Sequence, residues 1–261
     1  MKNRAIIKAL SAVTLFASLL AVFAGAVYAA GTECWFVRRN GNLQPRMSDR
    51  AALISKYAGY YIDEKHGDDN QEKVLYLTFD AGYENGNIEK ILDTLRDESV
   101  PAAFFLLDNI IIKNTDLVKR MAEEGHLVCN HTKNHKDLTK CTRNEIEENV
   151  KALEDIYRSS TGLEMAKYFR FPEGKYSESA LKCVSDMGYK TVFWSFAYAD
   201  WDNNRQPDED AAIKKIIENT HNGAVILLHP TSSTNAKILK TVIAKWREMG
   251  YSFGTLDDLT K

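Results

Sequence analysis

His131 and His135, separated by three residues, and a third histidine, His229, are the side chains of this chain best suited to hold a cation or to move a proton near neutral pH. Asp80, Arg170 and the pair Asp200-Trp201 are further candidates. Together these types supply what hydrolysis of an amide requires: an activated water, a polarised carbonyl and a proton for the leaving amine, the first two obtainable from a histidine-bound cation. Each residue alone has a plainer reading. An H-x-x-x-H pair can be two surface histidines one helical turn apart, Asp80 can cap a helix, and Arg170 can be half of a surface ion pair. Asp200-Trp201 can be a loop acid beside a core tryptophan, and His229-Pro230 an ordinary loop entry. What sets the group apart is position, because every member lies within a few residues past the end of a short β-prone run.

Those runs are Val74 to Phe79, Ala102 to Leu106, Leu127 to Asn130, Tyr168 to Phe169, Lys190 to Phe196, Ala224 to Leu228 and Tyr251 to Thr255, and they alternate with segments of helical period. The junctions support the rhythm. Glu124-Gly125, Met187-Gly188-Tyr189 and Met249-Gly250-Tyr251 place a glycine where a helix stops before a strand. Thr142-Arg143-Asn144-Glu145 has the capping-box pattern, Ser177 is placed as an N-cap, and Pro207-Asp208-Glu209-Asp210 sets proline and acids at a helix start. Repeated βα units imply an α/β fold with a parallel sheet, either open and doubly wound or closed as a deformed (β/α) barrel of about seven strands. In a barrel the loops after the strands share one face, so residues scattered through the sequence converge there.

The rest of the chain bounds the environment. Lys2, Arg4 and Lys8 precede a nearly uncharged run from Ala9 to Val27, followed by Tyr28-Ala29, so residues 1–30 read as a signal peptide or as an uncleaved membrane anchor. Either way the remainder is expected outside the cytoplasm, with 31–73 as an N-terminal extension, containing a short helix from Ser48 to Tyr57, and 74–261 as the main domain. Cys34, Cys129, Cys141 and Cys183 permit two disulfides in three pairings, and the lack of any CxxC pair speaks against cysteine-ligated zinc. A formal net charge of -2 leaves no broad basic surface, which argues against nucleic acid as a partner.

Thr78-Phe79-Asp80, Asn130-His131-Thr132-Lys133-Asn134-His135, Arg170-Phe171-Pro172-Glu173-Gly174, Asp200-Trp201 and Leu227-Leu228-His229 resemble, in order and spacing, the motifs of the polysaccharide deacetylase family (NodB homology, carbohydrate esterase family 4) over about residues 74–259. The resemblance implies a deformed (β/α) barrel and a divalent metal, zinc or cobalt, on His131 and His135. By the same resemblance Asp80 is the general base, Arg170 holds its carboxylate, His229 is the general acid, and Asp200 raises the proton affinity of His229. Trp201 and Leu227 then wall the pocket for the acetyl methyl, and the Pro172-Glu173 turn borders the substrate. Leu77 to Gly86 and Val192 to Trp201 are similar to the subgroup of muramic acid de-N-acetylases that leads to muramic δ-lactam in spore cortex, which implies a peptidoglycan glycan strand as partner and no protein partner.

Two positions depart from the family pattern. Where the family usually carries a second aspartate as third metal ligand stands Ala81, which implies weaker metal binding and is itself common in that subgroup. Glu173 places an acid at the edge of the site, where it would repel the lactyl carboxylate of muramic acid unless Lys175 or Arg205 compensates. Two other readings stay open: a deacetylase of N-acetylglucosamine in peptidoglycan or another polymer, and a non-catalytic glycan-binding module with a decayed metal site.

Overall fold

The computed structural model describes residues 31–46 and 48–261, so the signal or anchor expected in residues 1–30 lies outside the described residues. Among the described residues no helix is long and apolar enough to cross a membrane. The chain runs through β1 (Glu33–Cys34), α1 (Ser48–Ser55), β2 (Gly59–Tyr60), β3 (Lys73–Ala81), α2 (Ile88–Asp97), β4 (Ala103–Leu106), α3 (Asp108–Lys113), α4 (Thr115–Glu123) and β5 (Leu127–Asn130). It continues through α5 (Arg143–Thr161), β6 (Ala166–Phe169), β7 (Lys175–Tyr176), α6 (Glu178–Asp186), β8 (Lys190–Val192), α7 (Glu209–Glu218), β9 (Ala224–Leu228), α8 (Ser233–Glu248), β10 (Tyr251–Gly254) and α9 (Leu256–Leu259).

The helix boundaries follow local chemistry. Thr142 and Glu145 close a reciprocal capping box on α5, the Ser177 hydroxyl accepts the Ala180 N–H at the start of α6, and Asp208 accepts the Ala211 N–H at the start of α7. Gly125, Gly188 and Gly250, with φ of 83°, 83° and 86°, turn the chain from helix to strand in the left-handed region that glycine enters without a Cβ clash.

β3 is the hub of the sheet. Its residues Leu75 to Phe79 pair with β9 along one edge, while β10 and β4 share the other edge, over Lys73 to Tyr76 and Thr78 to Ala81 respectively. From β4 the sheet continues through β5, β6 and β8 to β2, every pairing parallel. Beyond β8 the chain swings back: Phe196 forms one parallel bridge to Ile226, and its carbonyl accepts the Leu227 N–H at 2.9 Å. The result is the expected α/β fold, a curled half-barrel holding all seven anticipated strands. The sheet also takes in β2, which comes from the segment read as an extension.

Strand periodicity sorts the side chains onto two faces. Leu75, Leu77 and Phe79 pack outward with the apolar stripes of α2 and α8, including Ile91, Leu92, Leu95, Leu239 and Ile243. Tyr76 belongs to a separate inner cluster with Phe105, Cys129, Val192 and Val225. Asp80 shares the parity of Tyr76, so the strand that buries three large apolar residues outward aims its carboxylate inward. The four cysteines, which permitted two disulfides, are all free thiols, with Cys129 and Cys183 buried and Cys34 exposed.

Candidate active site

Arg170, the first residue after β6, is fully buried, and a guanidinium is tolerated there only with its hydrogen bonds and charge satisfied. Its Nη1 donates to Asp80 Oδ1 at 2.8 Å, Nε to the Val192 carbonyl at 2.8 Å and Nη2 to the Phe193 carbonyl at 3.3 Å. The guanidinium carbon lies 4.1 Å from the centroid of the Phe105 ring. Burial alone would raise the pKa of Asp80, but the charges of Arg170, His131 and His229 hold it below the ordinary carboxylate value. Asp80 is therefore an ionised acceptor at neutral pH, within β3 and not a helix cap.

His131 follows β5 in a loop whose shape excludes one helical turn between the two histidines, since Thr132 and His135 have φ of 70° and 58°. The Asn130 carboxamide fixes that loop, accepting the Thr132 N–H at 2.9 Å and donating to the Val150 carbonyl at 3.0 Å. His131 Nδ1 lies 2.9 Å from the Arg170 carbonyl. A carbonyl only accepts, so Nδ1 carries the proton and Nε2 keeps its lone pair, 3.5 Å from Asp80 Oδ2. Burial and the neighbouring His135 push its pKa down to about 4, against the pull of Asp80, so the ring is neutral at physiological pH. His135 is exposed, its ring centroid 5.1 Å from that of His131.

On the other side His229, just past β9, is held by Asp200. Oδ1 of Asp200 is 2.7 Å from Nδ1 of His229, and Oδ2 accepts the His229 peptide N–H at 2.8 Å. Asn235 of α8 donates to the same Oδ2 at 2.7 Å and to the His229 carbonyl at 3.1 Å, and the Tyr198 hydroxyl donates to the Asn235 carboxamide oxygen. Burial would lower the pKa of His229, but the hydrogen bond and charge of Asp200, with Asp80 further off, raise it above 6.5. The protonated ring is thus favoured, with Nε2 left for the cavity.

That cavity, about 630 Å³, has Asp80, His131, His135, Glu173 and His229 as its polar lining and Leu107, Trp194, Tyr198, Trp201 and Leu227 as apolar lining. Of the expected residues, Arg170 and Asp200 stand behind this surface, each against the group it holds, and Pro172 is buried at the start of the turn that presents Glu173. Gly174, with φ of 66°, lets that turn lie against the tryptophan, because a Cβ there would come within 2.9 Å of the Trp194 ring. Glu173 is closed by Lys175 at 2.6 Å. Sequence reasoning gave no role to Asn130, Tyr198, Asn235 or Leu107. For Asn235 the one local signal is that its N–H is taken by the Ser232 cap, which reveals nothing of its side chain.

The metal question turns on the donor set. Among the described residues no group of three or more histidine, cysteine, aspartate or glutamate side chains is disposed to hold an ion. Ala81 packs on the outer apolar cluster and also borders the cavity, and its methyl offers no ligand. The two imidazoles remain. His131 has the arrangement of a metal-binding histidine, with its outer N–H fixed by a carbonyl and a free nitrogen toward the cavity. Two nitrogens fit a cation whose other positions go to water or substrate, held less tightly than by three protein ligands.

A model of the family described as polysaccharide deacetylase matches residues 67–192. The peptidoglycan-N-acetylmuramic acid deacetylase PdaA of Bacillus subtilis is 37% identical over 227 residues, which cover 86% of this chain and 84% of PdaA. The chain belongs to the polysaccharide deacetylase family. As such it is a hydrolase of N-acetyl groups. Two solved family 4 carbohydrate esterases share its fold: Bacillus subtilis PdaA (TM-score 0.83) and a Bacillus anthracis protein (TM-score 0.72), each 35% identical and each covering 89% of this chain and 98% of its own.

Proposed function

We propose that this deacetylase removes the N-acetyl group from N-acetylmuramic acid residues of peptide-free peptidoglycan glycan, outside the cytoplasm. The observation that carries the chemistry is the pair of opposed dyads, Asp80 with Arg170 and His229 with Asp200, on one cavity with apolar walls. Each of Asp80 and His229 also feels the other's charge. The likeness to PdaA supports muramic acid as the sugar.

In this reading Asp80 takes a proton from water as the water oxygen bonds to the acetyl carbonyl carbon. His229 then gives its Nε2 proton to the departing amine as the carbon–nitrogen bond breaks, leaving acetate. Arg170 keeps Asp80 ionised and aimed, and Asp200 fixes the tautomer and orientation of His229. Trp201 and Leu227 enclose the acetyl methyl, and a backbone N–H near Glu173 steadies the carbonyl oxygen as it gains charge. His131 and His135 would hold a divalent cation, zinc or cobalt, which supplies polarisation of the carbonyl and a more acidic water when bound. The freed amine lies beside the sugar's own lactyl carboxyl, so closure to the δ-lactam has the effective-molarity advantage of an intramolecular reaction.

Mass spectrometry of peptide-stripped glycan, digested after exposure to the protein, tests the assignment. Loss of acetyl from muramic acid is expected. Loss from glucosamine units, with muramic acid untouched, would transfer the assignment to the neutral sugar.

A further inference from the structure

The N-terminal segment runs beside two stretches that wall the cavity. β1 pairs antiparallel with β7, Cys34 opposite Lys175, directly after the Glu173 turn. The Trp35 N–H donates to the Gly174 carbonyl at 2.7 Å, and its indole N–H to the Trp194 carbonyl at 2.9 Å. Four residues on, the Arg39 guanidinium donates to the Ala197 carbonyl at 2.6 Å, its carbon 5.4 Å from the Phe196 ring centroid. Val37 and Arg39 line a second hollow of about 230 Å³, which shares Trp194 and Ala197 with the catalytic cavity.

Arg39 differs in its partners from Arg50 and Lys175, the two cations beside β1 and β7. Arg50 lies 3.5 Å from Glu33 and Lys175 lies 2.6 Å from Glu173, whereas Arg39 is exposed and makes no ion pair among the described residues. One of its five N–H donors is spent on a carbonyl, and the aromatic contact restrains the plane. The remaining donors suit an incoming carboxylate, which a guanidinium takes in paired hydrogen bonds. Since Lys175 already answers Glu173, the unbalanced charge at this wall is positive.

We infer that Arg39 is a specificity-determining residue, receiving a carboxylate carried by the glycan beside the acetamido group and so favouring acidic over neutral amino sugars. This rests on the muramic acid reading above, whose lactyl group supplies such a carboxylate. It assigns to the N-terminal segment a part in choosing substrate as well as in packing.

The test compares two substrates: peptide-free glycan with free lactyl carboxylates, and the same glycan after conversion of those carboxylates to neutral methyl amides. The quantity read is the ratio of kcat/KM on the two. Arg39→Gln should lower the wild-type preference for the acidic glycan by roughly five- to tenfold, the scale of a partly exposed charge-assisted contact. Arg39→Lys should restore part of it, and added salt should erode it in the wild type more than in Arg39→Gln. An unchanged ratio in Arg39→Gln would overturn the inference. If the wild-type protein deacetylates glucosamine and leaves muramic acid intact, the substrate reading falls and the inference with it; if muramic acid is deacetylated with the ratio unmoved, the inference alone falls.

Discussion

His229 and His135 both reach the cavity from loops, yet only one is held in place. Asp200 grips His229 through its ring and its peptide N–H, Asn235 grips Asp200, and Tyr198 grips Asn235. His135 is exposed at the end of a loop with positive φ, against the ring of His131. Asp80 resembles His229 in this respect, since Arg170 ties it to the backbone of Val192 and Phe193. In the proposed reading the groups assigned to proton transfer are thus set before substrate arrives, while a cation site on His131 and His135 would be completed by whatever binds. On that reading preorganisation is placed where charge must move, and the proposed cation site would be open to exchange.

The sharpest way to break this comparison is to strike the preformed side. Asp80→Asn should leave a folded protein whose turnover falls by about a hundredfold or more, the scale of losing a proton-transfer group. Near-normal turnover would remove Asp80 from the mechanism. Arg170→Met should lose comparable activity and also stability, about 3–5 kcal/mol by urea denaturation, because it leaves a buried carboxylate without its partner.

The open side should respond differently. Dialysis against a chelator should abolish turnover without unfolding the protein, and zinc or cobalt should restore it; full turnover in a metal-free sample would contradict the cation site. Ala81→Asp sharpens the point without an assay of activity. A carboxylate at position 81, between the outer apolar cluster and the cavity, costs upwards of about 3 kcal/mol when unpartnered. The metal-free variant should therefore melt below the wild type, and zinc should raise its Tm by more than it raises the wild-type Tm. Equal shifts would show that position 81 does not face the cation.

The smallest effect is expected at Asn235, which touches the reaction only through Asp200 and the His229 carbonyl. Asn235→Ala should lower kcat a few-fold while leaving KM almost unchanged, because of the three hydrogen bonds it removes, each worth about 1 kcal/mol, only those to Asp200 and the His229 carbonyl lie behind the acid. A change in KM of similar size would assign Asn235 to substrate binding instead.

Much of this was legible in sequence because the signals are local. The caps at Thr142, Ser177 and Asp208, and the helix-ending glycines, depend on chemistry within a few residues, and the alternation of strands and helices located each candidate beyond a strand. β2 was not legible, because two residues carry no period and Gly59–Tyr60 is a strand only through its pairing with Thr191–Val192. The expected strand from Lys190 to Phe196 stops at Val192 for the same kind of reason. Once β2 ends, the chain is claimed by other partners: the Trp194 carbonyl accepts from the Trp35 indole and the Ser195 N–H donates to the Val225 carbonyl. The support behind the acid was hidden as well, since an asparagine in the first turn of a helix gives no sign that its carboxamide reaches an aspartate 35 residues earlier. The cysteines were left open by the sequence, since export allows disulfides without requiring them, and Cys129 lies buried as a free thiol within the inner cluster.

The central claim is that Asp200 keeps His229 protonated as the acid of a preformed pair, and the pH dependence of kcat/KM tests it most directly. A group that must be protonated loses activity as pH rises through its pKa, and that of His229 is raised above 6.5 in the folded protein. Asp200→Asn removes the charge responsible, so the alkaline fall in kcat/KM on peptide-free glycan should move to lower pH. An alkaline limb that stays where it is in Asp200→Asn would contradict the account.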